Sequence, residues 1–204
     1  MSTPSSSLWR NFLSSPMMTL AQIQFSRGWW LLSAITALIM NLIAHYVFQG
    51  YLDMAPCEKC VYIRYAMFMI VIAGVIAALN PRLLLLRLTG YLLSLYGAIF
   101  GAIWSWQLVD NYRITEKMSQ VTDPFAAGLN LEPCSAFPTF HFGLPLDSWF
   151  PSWFAPTGSC GSDDWSFLGL NMGSWTLIVF IVYIALILAS LLAAWRYRKH
   201  TRAH

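Results

Sequence analysis

Residues 57–64 read CEKCVYIR: two cysteines three apart, an arginine four residues further on, and an apolar run that begins at Val61. Two thiols at that spacing exchange reversibly with a disulfide, and the attacking species is the thiolate. Pro56 is well placed for a first helical turn. If a helix starts there, positions 57, 60 and 64 fall at roughly 0°, 300° and 340° around its axis, on one face. Amides at a helix N-terminus stabilise an anion, and Lys59 and Arg64 act in the same direction, so this placement lowers a cysteine pKa. A heme attachment is excluded because position 61 is valine rather than histidine. The other readings are a structural disulfide and half a zinc site. Zinc would require all four cysteines to converge across gaps of 74 residues (Cys60 to Cys134) and 26 residues (Cys134 to Cys160). That spacing resembles no compact zinc module. Redox chemistry is favoured over both.

Arg64 lies inside an apolar run, where a charge is costly and by default points to function. The competing reading is snorkelling, since the side chain sits only one turn below the start of the run. Two thiols on its own helical face favour a role in stabilising an anionic intermediate of a redox partner. His45, near the end of the preceding run, reads as a packing or interfacial residue.

The elements that must hold these residues follow from composition. Of the 204 residues 57% are hydrophobic and 10% charged, against about 25% charged in an ordinary soluble domain; mean hydropathy is +0.55. Crossing the hydrocarbon core takes roughly 20 apolar residues. Runs 29–48, 61–79, 83–109 and 175–195 meet that test. Irregular backbone cannot face lipid, so the expected fold is an all-α membrane protein, a four-transmembrane-helix bundle forming a single domain. The first run exceeds the roughly 7–15 residues of a signal-peptide core and no A-x-A site follows, so it is expected to be retained.

Charge sets the expected orientation. Residues 1–28, the turn near 80–87 and the tail 196–204 hold eight of the 12 Lys+Arg (Arg10, Arg27, Arg82, Arg87, Arg196, Arg198, Lys199, Arg202), whereas all nine acids lie in loops 49–60 and 110–174. The excess of Lys and Arg places both termini and the middle loop in the cytoplasm. All four cysteines then face the opposite side, where disulfides persist. Four cysteines allow three connectivities, and spacing does not choose among them.

Cys134 in LEPCSAF and Cys160 in PTGSCGSD stand among Pro, Gly, Ser and Asp, which favours mobile, solvent-reachable loops. Between them Trp149, Phe150, Trp153 and Phe154 fall on one face of a short helix limited by Pro151. Such a face suits an element lying in the membrane interface; packing within the loop is the alternative. The segment 8–25, with Trp9, Phe12, Leu13 and Leu20, is a candidate for the inner membrane surface. There is no nucleotide-binding glycine motif, no interpretable Ser/His/Asp set, and nothing that points to nucleic acid.

PCEKCVYIR at the head of the second run resembles the DsbB family of quinone-reducing disulfide oxidases, as do the pair Cys134 and Cys160 around LPLDSWFP and the following WSFLGLNMGSW. The likeness covers roughly 29–195, and Glu58-Lys59 between the cysteines resembles the DsbI branch. The resemblance implies that a reduced periplasmic DsbA-like thioredoxin-fold protein (DsbA, or the dedicated partner DsbL) attacks a Cys134–Cys160 disulfide through Cys134. Cys160 then attacks Cys57, and Cys60, beside Arg64, passes two electrons to a membrane quinone, ubiquinone or menaquinone. It also implies a multi-pass protein of the bacterial inner membrane. Family members commonly carry a quinone-linked histidine shortly after the third span; this chain has none from 46 to 140. Two other classes compete. A vitamin K epoxide reductase-like enzyme would carry its active C-x-x-C near the last span, where none occurs. A non-enzymatic membrane protein would use its cystines only as staples.

Overall fold

The structure is a computed structural model that describes residues 22–119, 138–140, 143–158, 160 and 165–202, with side chains as far as Lys117 in the third long helix and Arg196 in the last. Cys134 and all but the end of the segment 8–25 lie outside the described residues.

Helix α1 covers Arg27–Leu42 and continues as a π-helix over Ile43–Tyr51. Helix α2 covers Glu58–Leu79 and α3 covers Leu84–Ser119. Two one-turn helices follow, α4 (Leu146–Trp149) and α5 (Pro151–Phe154). A hairpin pairs β1 (Ser166–Phe167) with β2 (Leu170–Asn171) and leads into α6, Met172–Arg202. Four of these helices are long and apolar enough to cross a membrane: α1 with its π-helical end, α2, α3 and α6. The all-α four-helix reading therefore stands.

Local chemistry sets the boundaries. Cys57 is extended (φ −82°, ψ 168°) and caps α2, its Sγ accepting from the Cys60 N–H at 3.3 Å. At the other end Asn80 leaves the helical region (φ −152°, ψ 88°), as the residue before Pro81 must. The Asn80 Oδ1 takes the Arg82 N–H at 3.3 Å, turning the chain into α3. Asn171 Oδ1 likewise caps α6 by accepting from Ser174 N–H at 2.9 Å. Leu168 (φ 52°) and Gly169 (φ 75°) form the two-residue turn of the hairpin, both in the left-handed region that such tight turns demand.

The aromatic segment differs from one continuous helix. Phe150 is extended (φ −134°, ψ 67°), and Pro151 opens a new turn at its first position. The four aromatics consequently part company: Trp149 and Phe150 are exposed, whereas Phe154 is buried.

Helix α2 is the centre of the bundle, packed against α1 on one side and α3 on the other, while α6 leans on α3. Of its most apolar stretch 61% is buried, against 17% for α1 and 22% for α6, so the latter two present most of their surface to lipid. Small residues set the spacing, as expected where lipid and side chain are equally apolar. A Cβ on Gly97 would stand 2.7 Å from Ala66 O, and one on Gly101 would enter the ring of Phe180, itself fully buried. Gly101→Val should therefore push α6 off α3, at a cost of about 1–3 kcal/mol. A lowered thermal unfolding midpoint in nanodiscs is the expected result; an unchanged midpoint would mean that Phe180 simply swings away.

Candidate functional site

The site is built outward from the head of α2. Cys57 and Cys60 carry thiols, their Sγ atoms 2.8 Å apart. Cys57 Sγ lies at the positive end of a 22-residue helix and accepts a backbone N–H there, an arrangement that would favour a negative charge on it. The sequence puts this pair at the water boundary, but Cys57 is only 1% exposed and Cys60 9%.

The stretch that precedes Cys160 is bonded to the residue just before them. Thr157 and Gly158 both donate their N–H to Pro56 O, at 2.9 and 3.0 Å. A Cβ on Gly158 would run into the carbonyl of Ala55, so glycine is required for this approach. Two residues later, Cys160 is half-buried against the apolar cluster that contains Cys57 and Cys60, and it is disulfide-bonded. Rather than standing free in solvent, the Cys160 arm is seated on the loop that bears Cys57.

Arg64 lies one turn beyond Cys60 and is 3% exposed. Its Nη1 donates to Trp153 O and its Nη2 to Ala44 O, both at 3.3 Å. A head group so enclosed does not snorkel. Among the described residues no carboxylate pairs with it, and the groups that feel its charge most are the thiols of Cys60 and Cys57.

The acceptors of Arg64 belong to two unusual elements. Ala44 sits in the π-helix, a rare form that is frequent at functional sites. Trp153 is in α5, where its ring stacks on His45 at 4.0 Å with planes 15° apart; His45 Nδ1 lies 2.8 Å from Gln49 Oε1. Phe68 packs edge-on against Trp153 at 5.6 Å. His45 is thus a wall residue beside the guanidinium, which the sequence did not signal: a lone histidine in an apolar run carries no mark of a distant tryptophan. Nor does any residue type announce a π-helix.

Below this wall a cleft of about 460 Å³ opens between α1 and α6, lined among others by Ser33, Thr36 and Met40 and by Val179, Tyr183 and Leu186. Tyr183 Oη bridges it, donating to Ser33 O at 3.1 Å and lying 2.7 Å from Thr36 Oγ1. Met40, at one end of this lining, is one turn of helix from Ala44. No group of three His, Cys, Asp or Glu among the described residues is arranged to bind a metal ion. The arrangement offers a dithiol, an adjacent cystine, a fixed cation and an apolar approach from lipid.

Comparison with known proteins gives the same direction. The family described as "Disulfide bond formation protein DsbB" matches residues 26–190. A DsbI relative from Shewanella oneidensis is 42% identical over 191 residues, 92% of this chain and 90% of the relative. The "Protein-disulfide oxidoreductase DsbI" of Escherichia coli O1:K1 / APEC is 44% identical over 156 residues, covering 76% of this chain and 68% of the relative. The protein of that name from Salmonella typhimurium is 46% identical over 156 residues, 76% of this chain and 67% of the relative.

Proposed function

The chain belongs to the DsbB family and is a membrane protein-disulfide oxidoreductase; on that premise we propose that it oxidises a periplasmic DsbA-like dithiol protein and hands the electrons to a membrane quinone. The observation that carries the reading is the seating of the Cys160 arm on Pro56, which brings a disulfide-bonded cysteine against the apolar cluster that contains the dithiol at the head of α2.

The relay is a sequence of exchanges. A thiolate of the partner attacks a Cys134–Cys160 disulfide at Cys134; Cys160 leaves as thiolate, and the partner's second thiol then releases Cys134 and closes the partner's own disulfide. That Cys160 is disulfide-bonded supports its place in this relay. Cys160 next attacks a Cys57–Cys60 disulfide at Cys57, and Cys60 leaves as thiolate over the Arg64 guanidinium. Closing the Cys134–Cys160 and Cys57–Cys60 disulfides again then releases one electron pair and two protons per partner oxidised.

The residues fit a quinone. Arg64 would face a ring oxygen, Trp153 and His45 would form an aromatic wall, and the α1–α6 cleft would take an apolar tail. When bound, a quinone accepts two electrons and two protons and carries them through the lipid. Arg64 would hold charge where it develops, without reorganisation and out of water. We place the cysteine loops in the periplasm and the termini in the cytoplasm, on the strength of the Lys and Arg asymmetry. Membranes that contain the protein should reduce added quinone only when a reduced DsbA-like protein is supplied. Equal rates without that protein, or none with it, would contradict the assignment.

A further inference from the structure

Glu58 stands between the two cysteines, an acidic residue in the spacer of a redox pair, yet it is 7% exposed. Its Oε1 accepts from the hydroxyl of Tyr62 at 3.0 Å, one turn along α2. The Tyr62 oxygen in turn accepts the backbone N–H of Thr139 at 2.9 Å. The order matters. A phenol has a single proton, and committing it to Glu58 leaves a lone pair to receive Thr139. The neighbours make this a fixed joint: Tyr62 stacks on Trp104 at 4.9 Å, and Phe140, buried beside Thr139, meets Tyr62 edge-on at 5.7 Å.

Thr139 lies five residues after Cys134 in the sequence, and this joint holds its backbone to α2. The other arm is fixed independently by the Pro56 bonds of Thr157 and Gly158, two residues before Cys160. Both arms of the cysteine-bearing connection are thus pinned to one stretch, 56–62, that also contains the acceptor pair.

We propose that Glu58 and Tyr62 are positioning residues for the transfer of the disulfide between the two cysteine pairs. They clamp the Cys134 arm, so that opening of the loop cystine does not let the connection drift from Cys57. This rests on the relay described above. Holding two reacting groups on one frame makes their reaction effectively unimolecular, and a loosened tether lowers the effective concentration. Toward Tyr62, Glu58 acts as the acceptor, so an amide with its carbonyl in the same place should serve the joint.

The test uses the full chain in nanodiscs and three variants. Tyr62→Phe keeps the ring stack and removes the joint; Glu58→Leu removes the acceptor; Glu58→Gln keeps it. Amide exchange read on the peptide containing Thr139 should speed up about tenfold or more in Tyr62→Phe and Glu58→Leu and stay within about twofold of the parent in Glu58→Gln. After mixing with reduced DsbA-like protein, acid quench and thiol alkylation, the Cys57–Cys160 disulfide should form about tenfold more slowly in the first two variants. Its formation should be nearly normal in the third, with the quinone KM unchanged throughout. Unchanged exchange and transfer in Tyr62→Phe would overturn the clamp, as would Glu58→Gln behaving like Glu58→Leu. A parent protein that never forms the Cys57–Cys160 disulfide would instead overturn the relay, and the exchange measurement would still decide whether the joint exists.

Discussion

Serine in place of Cys57, Cys60, Cys134 or Cys160 should each bring partner-driven quinone reduction down to background. A hydroxyl neither forms a disulfide nor leaves as thiolate, so a single replacement breaks the chain of exchanges wherever it falls. The losses should therefore not add: a double replacement is no worse than a single one, as for any set of groups that acts as a unit. A second measurement separates the two pairs. Dithiothreitol can reduce a Cys57–Cys60 disulfide directly, so Cys134→Ser and Cys160→Ser should retain slow quinone reduction with that small thiol. Cys57→Ser and Cys60→Ser should lose it. Retention of partner-driven turnover by any one of the four would show that electrons bypass that sulfur. Equal behaviour of all four with dithiothreitol would show that the pairs are not arranged in series.

Removing the guanidinium should be the next largest effect. Arg64 is enclosed, bonded to Trp153 O and Ala44 O, and faces the thiols of Cys60 and Cys57. Losing one preorganised donor to a developing anion typically costs on the order of a hundredfold in rate, about 2.7 kcal/mol. Arg64→Met should thus lower kcat/KM for quinone roughly that much, while the first exchange with the partner proceeds normally. Arg64→Lys should recover part of the loss, because the charge survives but the fork that spans two carbonyls does not. Because Arg64 also ties α2 to the π-helix and to α5, both variants need a thermal melt in parallel. Melting like the parent with impaired quinone kinetics is the expected pair of results. Unimpaired kinetics in Arg64→Met would leave the guanidinium a structural bolt.

The sequence carried the membrane architecture because length and apolarity are sufficient for it: four runs, each long enough to cross, leave few other folds. It carried the thiol chemistry because C-x-x-C ahead of an apolar run is a local pattern. Three features of the site are not local, and none was legible. Gly158 reads as a turn residue, and only its approach to Ala55 reveals that the Cys160 arm is seated. Residues 43–51 look like ordinary helix in the sequence, yet they form a π-helix whose Ala44 O meets Arg64. Glu58 looks like a solvated charge beside a loop, yet it faces Tyr62, whose partner is 77 residues away. The sequence also set Trp149, Phe150, Trp153 and Phe154 on one helical face by ideal periodicity, and Pro151 interrupts that periodicity.

An anaerobic titration tests the central claim most directly. Purified protein with bound quinone is mixed with increasing reduced DsbA-like partner, and quinone absorbance is followed together with the count of alkylatable thiols. Two electrons should reach the quinone for each partner oxidised, with a Cys57–Cys160 disulfide appearing before the quinone bleaches. Thiols that accumulate on the protein while quinone absorbance stays constant would contradict the account.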